Sequence, residues 1–537
     1  MKKSISLFDK NYESVSVEKM LSLSKFYVKE SVNTVCNACE PITGDTLRNI
    51  YGVDWEKDAR RYGLKTKGDP TPFVICPVFF KVATDEINVC ALSFALLILY
   101  KGLEQIEKTG ERENVDNIKI LIDRLVNTLT VVSCRETDQD GNEVCYWPTK
   151  IDKTNSVSSG TCNQTTVALS ALLRIGFISN SYVNKKPEGD EQKKAETELR
   201  ERYKLIVGAL SWLVGCQKES AWAYGDKCQT TDGTEIRYSI LSSHFCYETL
   251  KKYRLFFDSD EGSNELAQET NKRILDRIHA ACVKFETWAK RKIIDSVDGG
   301  VGKTSASEKM PSVLHSCLIQ IVFLYDLELE EESVKAFSKS VKYLLDHLND
   351  FKLDVNSDLL ETYKYYYECK THNGAVSGSF LEDKYEIIPE YVFLSYSTRL
   401  IKSGYFMKLS PMQRRTIKKA NYIAYCRLLK DVTRIRFKGN DNEYVALQGK
   451  REEPLFYPIY GLYDLQCCLI EFIQNEKNPK AIVSATMPNA VPVAIGVAAA
   501  GVCAYCALKV DIKNTVTSGL LSLAGFSVGP IKKLRSK

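Results

Sequence analysis

The chain lacks a strong charge of either sign, since 73 Lys and Arg stand against 68 Asp and Glu for a net charge of +5 over 537 residues. That balance, with no basic face interleaved with aromatics, excludes a surface built to follow phosphates, and so a nucleic-acid partner. Histidine is scarce, at 5 residues, which confines imidazole chemistry to a handful of positions. Lys2 and Lys3 open the sequence without an apolar run of signal-peptide length behind them, so no secretory leader is expected. The 18 cysteines are scattered, many of them inside apolar stretches, rather than concentrated into a disulfide framework. A cytoplasmic, reducing setting is the expectation. Cys36 and Cys39 make a lone C-x-x-C with no second pair to complete a zinc knuckle, and they read as two buried or half-buried thiols.

What the chain does have is repetition. Apolar segments begin near positions 87, 160, 241, 313, 387 and 459, roughly 70 to 80 residues apart, each after a Gly- or Pro-marked loop. Amphipathic stretches with a charged face precede them, at 17–32, 115–132, 196–216, 264–292, 332–348 and 411–432. A segment such as Val89 to Leu99 is apolar on nearly every side, which a helix tolerates only when buried all round. Apolar helices are therefore expected inside and amphipathic ones outside. Six such pairs predict an all-α fold, a six-repeat (α/α)6 toroid, and repetition lets a chain this long form one body instead of several cores.

The loops between the two helix sets share a wording. Trp212-Leu213 leads to Cys216-Gln217 and then Ala221-Trp222-Ala223-Tyr224-Gly225. Trp288 leads to Asp298-Gly299-Gly300-Val301-Gly302, and Tyr146-Trp147-Pro148 holds the equivalent place before Thr161-Cys162-Asn163-Gln164. Over residues 70–475 this resembles the terpenoid cyclase and protein prenyltransferase superfamily, whose fold is a six-fold α/α toroid around a central cavity. The wording is most similar to the catalytic β-type subunit of protein prenyltransferases. The resemblance implies a zinc ion held at the starts of two successive inner helices, and on this sequence the matching positions are His244, Cys246 and His315. His244 stands where the family has aspartate, and no clear copy of the family's Arg and Lys set for the isoprenoid diphosphate is found. The family's separate helical partner subunit is not contained in this chain.

Imidazole and thiolate suit tetrahedral zinc, and three protein ligands leave a fourth position where a substrate thiol can be ionised. Residues at i and i+2 do not share a helical face, so His244 and Cys246 converge only if His244 lies in a non-helical turn that Ser242 and Ser243 would cap. Without a metal, Cys246 is a small apolar filler and His315 a hydrogen-bonded core histidine. Gly299-Gly300-Val301-Gly302-Lys303-Thr304 also reads as part of a phosphate-binding loop, but Val297 replaces a required glycine and a charged helix, not a strand, is expected before it. Asp258-Ser259-Asp260-Glu261 approximates the acid motif of the cyclisation enzymes, yet with Gly262 beside it the cluster reads as a solvated turn.

The C-terminus is a separate kind of sequence. Positions 481–508 carry no charge, 514–530 form a second uncharged run, and the chain closes on Lys532-Lys533-Leu534-Arg535-Ser536-Lys537. The first run is long enough to span a bilayer, although Pro488 and Pro492 interrupt it. Val493, Gly496, Ala500 and Leu508 mark its membrane-seeking part, and its small residues favour self-association in lipid. The basic cluster suits an anionic cytoplasmic face. The same Ala/Gly-rich tail could instead fold back onto the toroid or plug its cavity.

The expected organisation is a lead with the first outer helix at 1–69, a toroid at 70–476 and a hydrophobic tail at 477–537. Two functions of different classes follow. One is a prenyltransferase-like toroid, zinc-dependent, joining a thiol to an isoprenoid-type substrate at a membrane. The other is a non-catalytic toroid that binds a small apolar ligand or a protein partner and controls a membrane-active effector tail, oligomerising in lipid.

Overall fold

The computed structural model describes residues 17–77, 86–109, 115–138, 141–152, 161–178, 190–223, 235–257, 265–309, 311–325, 330–348, 389–433, 436–439, 442–445 and 459–475. Most of these are helical. The helices that precede the apolar set are α1 (Val17–Ala38), α5 (Val115–Val131), α7 (Asp190–Gly215), α9 (Glu265–Asp295), α12 (Glu331–Asp346) and α14 (Pro411–Thr433). The apolar helices are α4 (Val89–Thr109), α6 (Cys162–Arg174), α8 (Ile240–Phe257), α13 (Pro389–Lys402) and α15 (Ile459–Asn475), with the fourth of the series broken at Gln320 into α10 (Val313–Ile319) and α11 (Ile321–Tyr325). Their starts fall beside the positions expected from hydrophobicity. Short helices α2 (Gly44–Tyr51) and α3 (Trp55–Tyr62) fill the lead, and the strands among the described residues form two-stranded antiparallel ribbons only.

The apolar helices pack in sequence order: α4 on α6, α6 on α8, α8 on α10 and α11, these on α13, and α13 on α15. The last of them, α15, packs on the first, α4. Each has a longer helix on its flank: α5 on α4, α7 on α6, α9 on α8, α12 on α10, α14 on α13 and α1 on α15. The division of labour follows composition. Residues 91–99 of α4 are all buried, whereas α12 and the first part of α5, residues 115–124, alternate buried and exposed positions at helical spacing. Val89–Glu107 is long and apolar enough to cross a membrane, but in this fold it is a core helix against α1, α5, α6 and α15.

The lead is built into the same body. Its strand β1 (Glu40–Ile42) pairs antiparallel with β2 (Phe73–Ile75), and Asp69 is clamped by both Nε and Nη2 of Arg124 at 2.8 and 2.9 Å. At the other end of the chain, the buried Gln466 of α15 donates to Ser31 Oγ of α1 and to the Ile98 carbonyl of α4, both at 2.9 Å. One side chain thus ties the first two long helices to the last.

Three of the loops share a device that explains their common wording. The backbone N–H groups of Trp147, Trp222 and Val301 donate to the hydroxyls of Thr165, Ser243 and Ser316 at 3.1, 2.9 and 2.8 Å. Each hydroxyl is the fourth residue of its apolar helix, and each helix opens on a hydroxyl residue four positions earlier: Thr161, Ser239 and Ser312. Trp147 and Trp222 also donate their indole N–H to the Leu129 and Leu213 carbonyls at the ends of α5 and α7. Each Trp therefore pins the end of an outer helix to the start of the next inner one, satisfying groups that would otherwise be orphaned in the core. Gly299 and Gly300 serve the same loop: a Cβ on Gly299, at φ +98°, would lie 2.5 Å from the Lys339 carbonyl, and one on Gly300 would lie 2.6 Å from the Tyr343 ring. Close approach to α12 accounts for these glycines, and the helix α9, not a strand, precedes them.

Candidate functional site

Residues 91–99 of α4 and 162–169 of α6 are buried throughout, as their composition implies, but the other apolar helices and the second half of α4 keep half-buried positions, several of them polar. In α15, Tyr463, Cys467 and Glu471 are half-buried at i, i+4 and i+8 within an otherwise largely buried helix. Helix α8 offers His244 and Glu248, α13 offers Ser395 and Arg399, α11 ends on Tyr325, and α4 follows its buried run with Tyr100, Lys101 and Glu104. These stripes meet across helices to form a polar belt.

Glu248 is the hub of one half. It accepts from Arg399 Nη1 at 3.0 Å, Lys252 Nζ at 3.1 Å and Tyr325 OH at 3.3 Å, and its other oxygen lies 4.0 Å from His244 Nε2. Burial pushes the Glu248 carboxyl up, but Lys252 and Arg399 outweigh it and hold the group well below the usual carboxylate range. The Arg399 guanidinium also lies over the Tyr325 ring, 5.3 Å from its centre. His244 is driven toward its neutral form, chiefly by burial. Its Nδ1 lies 3.0 Å from the Leu318 carbonyl, so that nitrogen carries the proton.

Lys101 is the hub of the other half. Its ammonium lies 3.1 Å from Tyr463 OH and 3.0 Å from Cys467 Sγ, and sits 4.7 Å from the centre of the Tyr463 ring, which packs against Phe94. Burial would lower the Lys101 pKa; Cys467 and Tyr463 overcome it and raise it. Glu471 joins the halves, since it feels Arg399, Lys402, Lys101 and Glu248. Burial nevertheless raises its pKa, and Oε2 has no hydrogen-bond partner among the described residues. Lys101, Lys252, Arg399 and Lys402 thus stand against three belt carboxylates: Glu248, which Lys252 and Arg399 contact, Glu104, which pairs with Arg174 at 3.5 Å, and Glu471, which burial disfavours as an anion. The belt carries an excess of positive charge beside aromatic rings.

The expected zinc residues are placed apart. Helix α8 opens at Ile240, so His244 lies inside the helix and not in a capping turn. At i and i+2 its side chain and that of Cys246 point to different faces. His244 belongs to the belt, while Cys246 is fully buried, with its sulfur 3.4 Å from Thr166 Oγ1 of α6. His315 is buried in α10 with Nδ1 2.9 Å from Ser312 Oγ, and burial, helped by Lys303, pulls its pKa down to about 3. These three do not form a zinc ligand set as placed, and no group of three or more His, Cys, Asp or Glu that could hold a metal ion occurs among the described residues. Beside His315, a cavity of about 550 Å³ is lined by Asp298, Ser312, Tyr343 and His347. Cys36 is pushed up to about 12 by burial and by Cys39, as befits a core thiol.

Val493, Gly496, Ala500 and Leu508 lie outside the described residues, as do the acidic cluster at 258–261 and the whole tail. The belt residues Lys101, Glu248, Arg399, Cys467 and Glu471 were not singled out by sequence. The available signal was a charged or polar residue recurring at i and i+4 inside an apolar helix, as in Glu248 with Lys252 or Cys467 with Glu471. No protein-family model matches the chain, and no curated protein matches it.

Proposed function

We propose that the protein is a six-repeat α/α toroid whose inner face binds a small anionic ligand with an apolar or aromatic portion. The order of helix contacts, from α4 through α6, α8, α10, α13 and α15 back to α4, supports the ring. The observation that carries the ligand class is that the half-buried Lys101 and Arg399, with the more exposed Lys252 and Lys402, outnumber the belt carboxylates Glu104, Glu248 and Glu471 beside Tyr325 and Tyr463. Charge-assisted bonds from Arg and Lys to phosphate or carboxylate are strong in a site that excludes water. An isoprenoid diphosphate, the substrate type implied by the resemblance, is one molecule of this description. Zinc-dependent transfer to a thiol would require ligands other than His244, Cys246 and His315 as they stand, and elemental analysis of the purified protein decides it.

Calorimetric titration with geranyl diphosphate and with inorganic pyrophosphate tests the reading. Binding of both, tighter for the geranyl compound and weakened at least tenfold by Arg399→Ala with Lys402→Ala, is the expected result. Absence of heat with either ligand in the folded wild-type protein would refute it.

A second reading rests on the uncharged runs at 481–508 and 514–530. In it the toroid binds its ligand or partner to control a membrane-active tail. Dye release from anionic vesicles that depends on residues 481–530 would favour this role, and equal release by a chain ending at 478 would remove it.

A further inference from the structure

The contact between Lys101 and Cys467 is unlike any other cysteine environment described here. Cys467 is half-buried, its sulfur is 3.0 Å from an ammonium group, and that ammonium also bonds a phenol and lies over its ring. Other cysteines, such as Cys145, Cys282 and Cys317, are held as neutral thiols chiefly by burial, and no ammonium among the described residues is in hydrogen-bond contact with their sulfur. A cation in hydrogen-bond contact favours thiolate, and thiolate is the nucleophilic form. One turn along the same helix stands Glu471, a carboxyl that burial inclines to keep its proton. Arg399 and Lys402 act on that carboxyl through their charge.

We propose that Cys467 is a nucleophile of the belt, offered by Lys101 and Tyr463 to a carbon electrophile that bears a carboxylate or phosphate. This rests on the belt being a site for anions. The sulfur forms a bond to the electrophilic carbon, the bond from that carbon to its leaving group breaks, and the electron pair departs with the leaving group. Lys101 stays protonated throughout and loses its ionic partner when the thioether forms. Arg399 and Lys402 hold the anionic substituent, so the reactive carbon is presented to the sulfur instead of to solvent.

Two alkylating reagents with the same reactive carbon separate the parts of this inference. Iodoacetate carries a carboxylate and iodoacetamide does not, and each transfers its carbon to sulfur with loss of iodide. Full-length protein is treated with each at pH 7, and every cysteine is quantified by peptide mass spectrometry. The expected result is that Cys467 reacts at least tenfold faster than Cys36 or Cys134, with the ratio of iodoacetate to iodoacetamide modification at least threefold higher at Cys467 than at those thiols. Lys101→Met slows Cys467 and moves its pH profile upward, whereas Lys101→Arg retains the wild-type profile. Cys467 inert to both reagents in wild-type protein overturns the nucleophile while leaving anion binding to calorimetry. A fast Cys467 that shows no preference for iodoacetate overturns the anionic class of electrophile and counts against the belt reading. A pH profile unchanged by Lys101→Met in folded protein overturns the role of Lys101.

Discussion

Glu471 is the residue whose environment is least settled in its own favour. It is half-buried, one oxygen has no partner among the described residues, and burial raises its pKa despite nearby cations. A carboxyl with a raised folded-state pKa is favourable to the fold below its unfolded pKa, and that contribution is lost as the pH rises through the folded value. Glu471→Gln is therefore expected to raise the thermal midpoint at pH 7 to 8 and to change it little below pH ~4, where both forms are neutral. A variant less stable than wild type at pH 8 would show that the carboxylate is needed ionised. At this scale the sequence is nearly silent, because the partners of a belt residue come from distant repeats. Lys101 and Cys467 are separated by 366 positions, and Glu248 and Arg399 by 151. Two of the three residues chosen from motif wording, Cys246 and His315, fell on buried positions, since a spacing copied from a loop cannot report which face of a helix is turned inward.

At the scale of elements, the hydrophobic pattern carried most of the information. Apolar runs are long, loops are marked by Gly and Pro, and the helices begin where those signals change. The half-buried stripe was hidden because a single Lys or Glu among nine or more apolar neighbours scarcely alters the average, yet it changes one face completely. The hydroxyl device gives a direct check on the repeat. Ser243→Ala and Ser316→Ala each remove the acceptor of a buried loop N–H, that of Trp222 or Val301, and each is expected to cost about 1–3 kcal/mol. Thr165→Val in the equivalent place should cost a similar amount, measured by denaturant unfolding. Costs that differ widely among the three would mean that the loops are alike in wording but not in structure. Gly299→Ala, strained at positive φ and crowded by the Lys339 carbonyl, should be more harmful than Gly215→Ala, whose Cβ meets nothing within 4 Å.

For the whole molecule, the decisive place is where the first and last described helices meet. Gly102 lets α1 and α4 approach so closely that a Cβ there would fall 2.1 Å from Val32 Cγ2 and 3.1 Å from Gln466 Nε2. Gly102→Ala is expected to destabilise by about 1–3 kcal/mol through overpacking, and Val32→Ala in the same chain should recover part of that loss. Additive effects of the two substitutions would argue against direct contact at this closure. In the sequence, 17–32 stands as the first outer helix, ahead of the apolar segment near 87, but its packing on α15 was not legible there. Its amphipathic pattern shows that it needs a partner, but nothing local says the partner is a helix more than four hundred residues away.

The central claim is that stripes from helices distant in sequence form one ligand-binding belt. Hydroxyl-radical footprinting of the full-length protein, with and without geranyl diphosphate, measures this directly because it reports solvent access at individual side chains. The account predicts that Tyr325, Tyr463 and Cys467 lose reactivity together when ligand is added, and that Arg399→Ala with Lys402→Ala abolishes the change. Protection confined to Tyr343 and His347, at the cavity beside α10, would place the ligand elsewhere and contradict it.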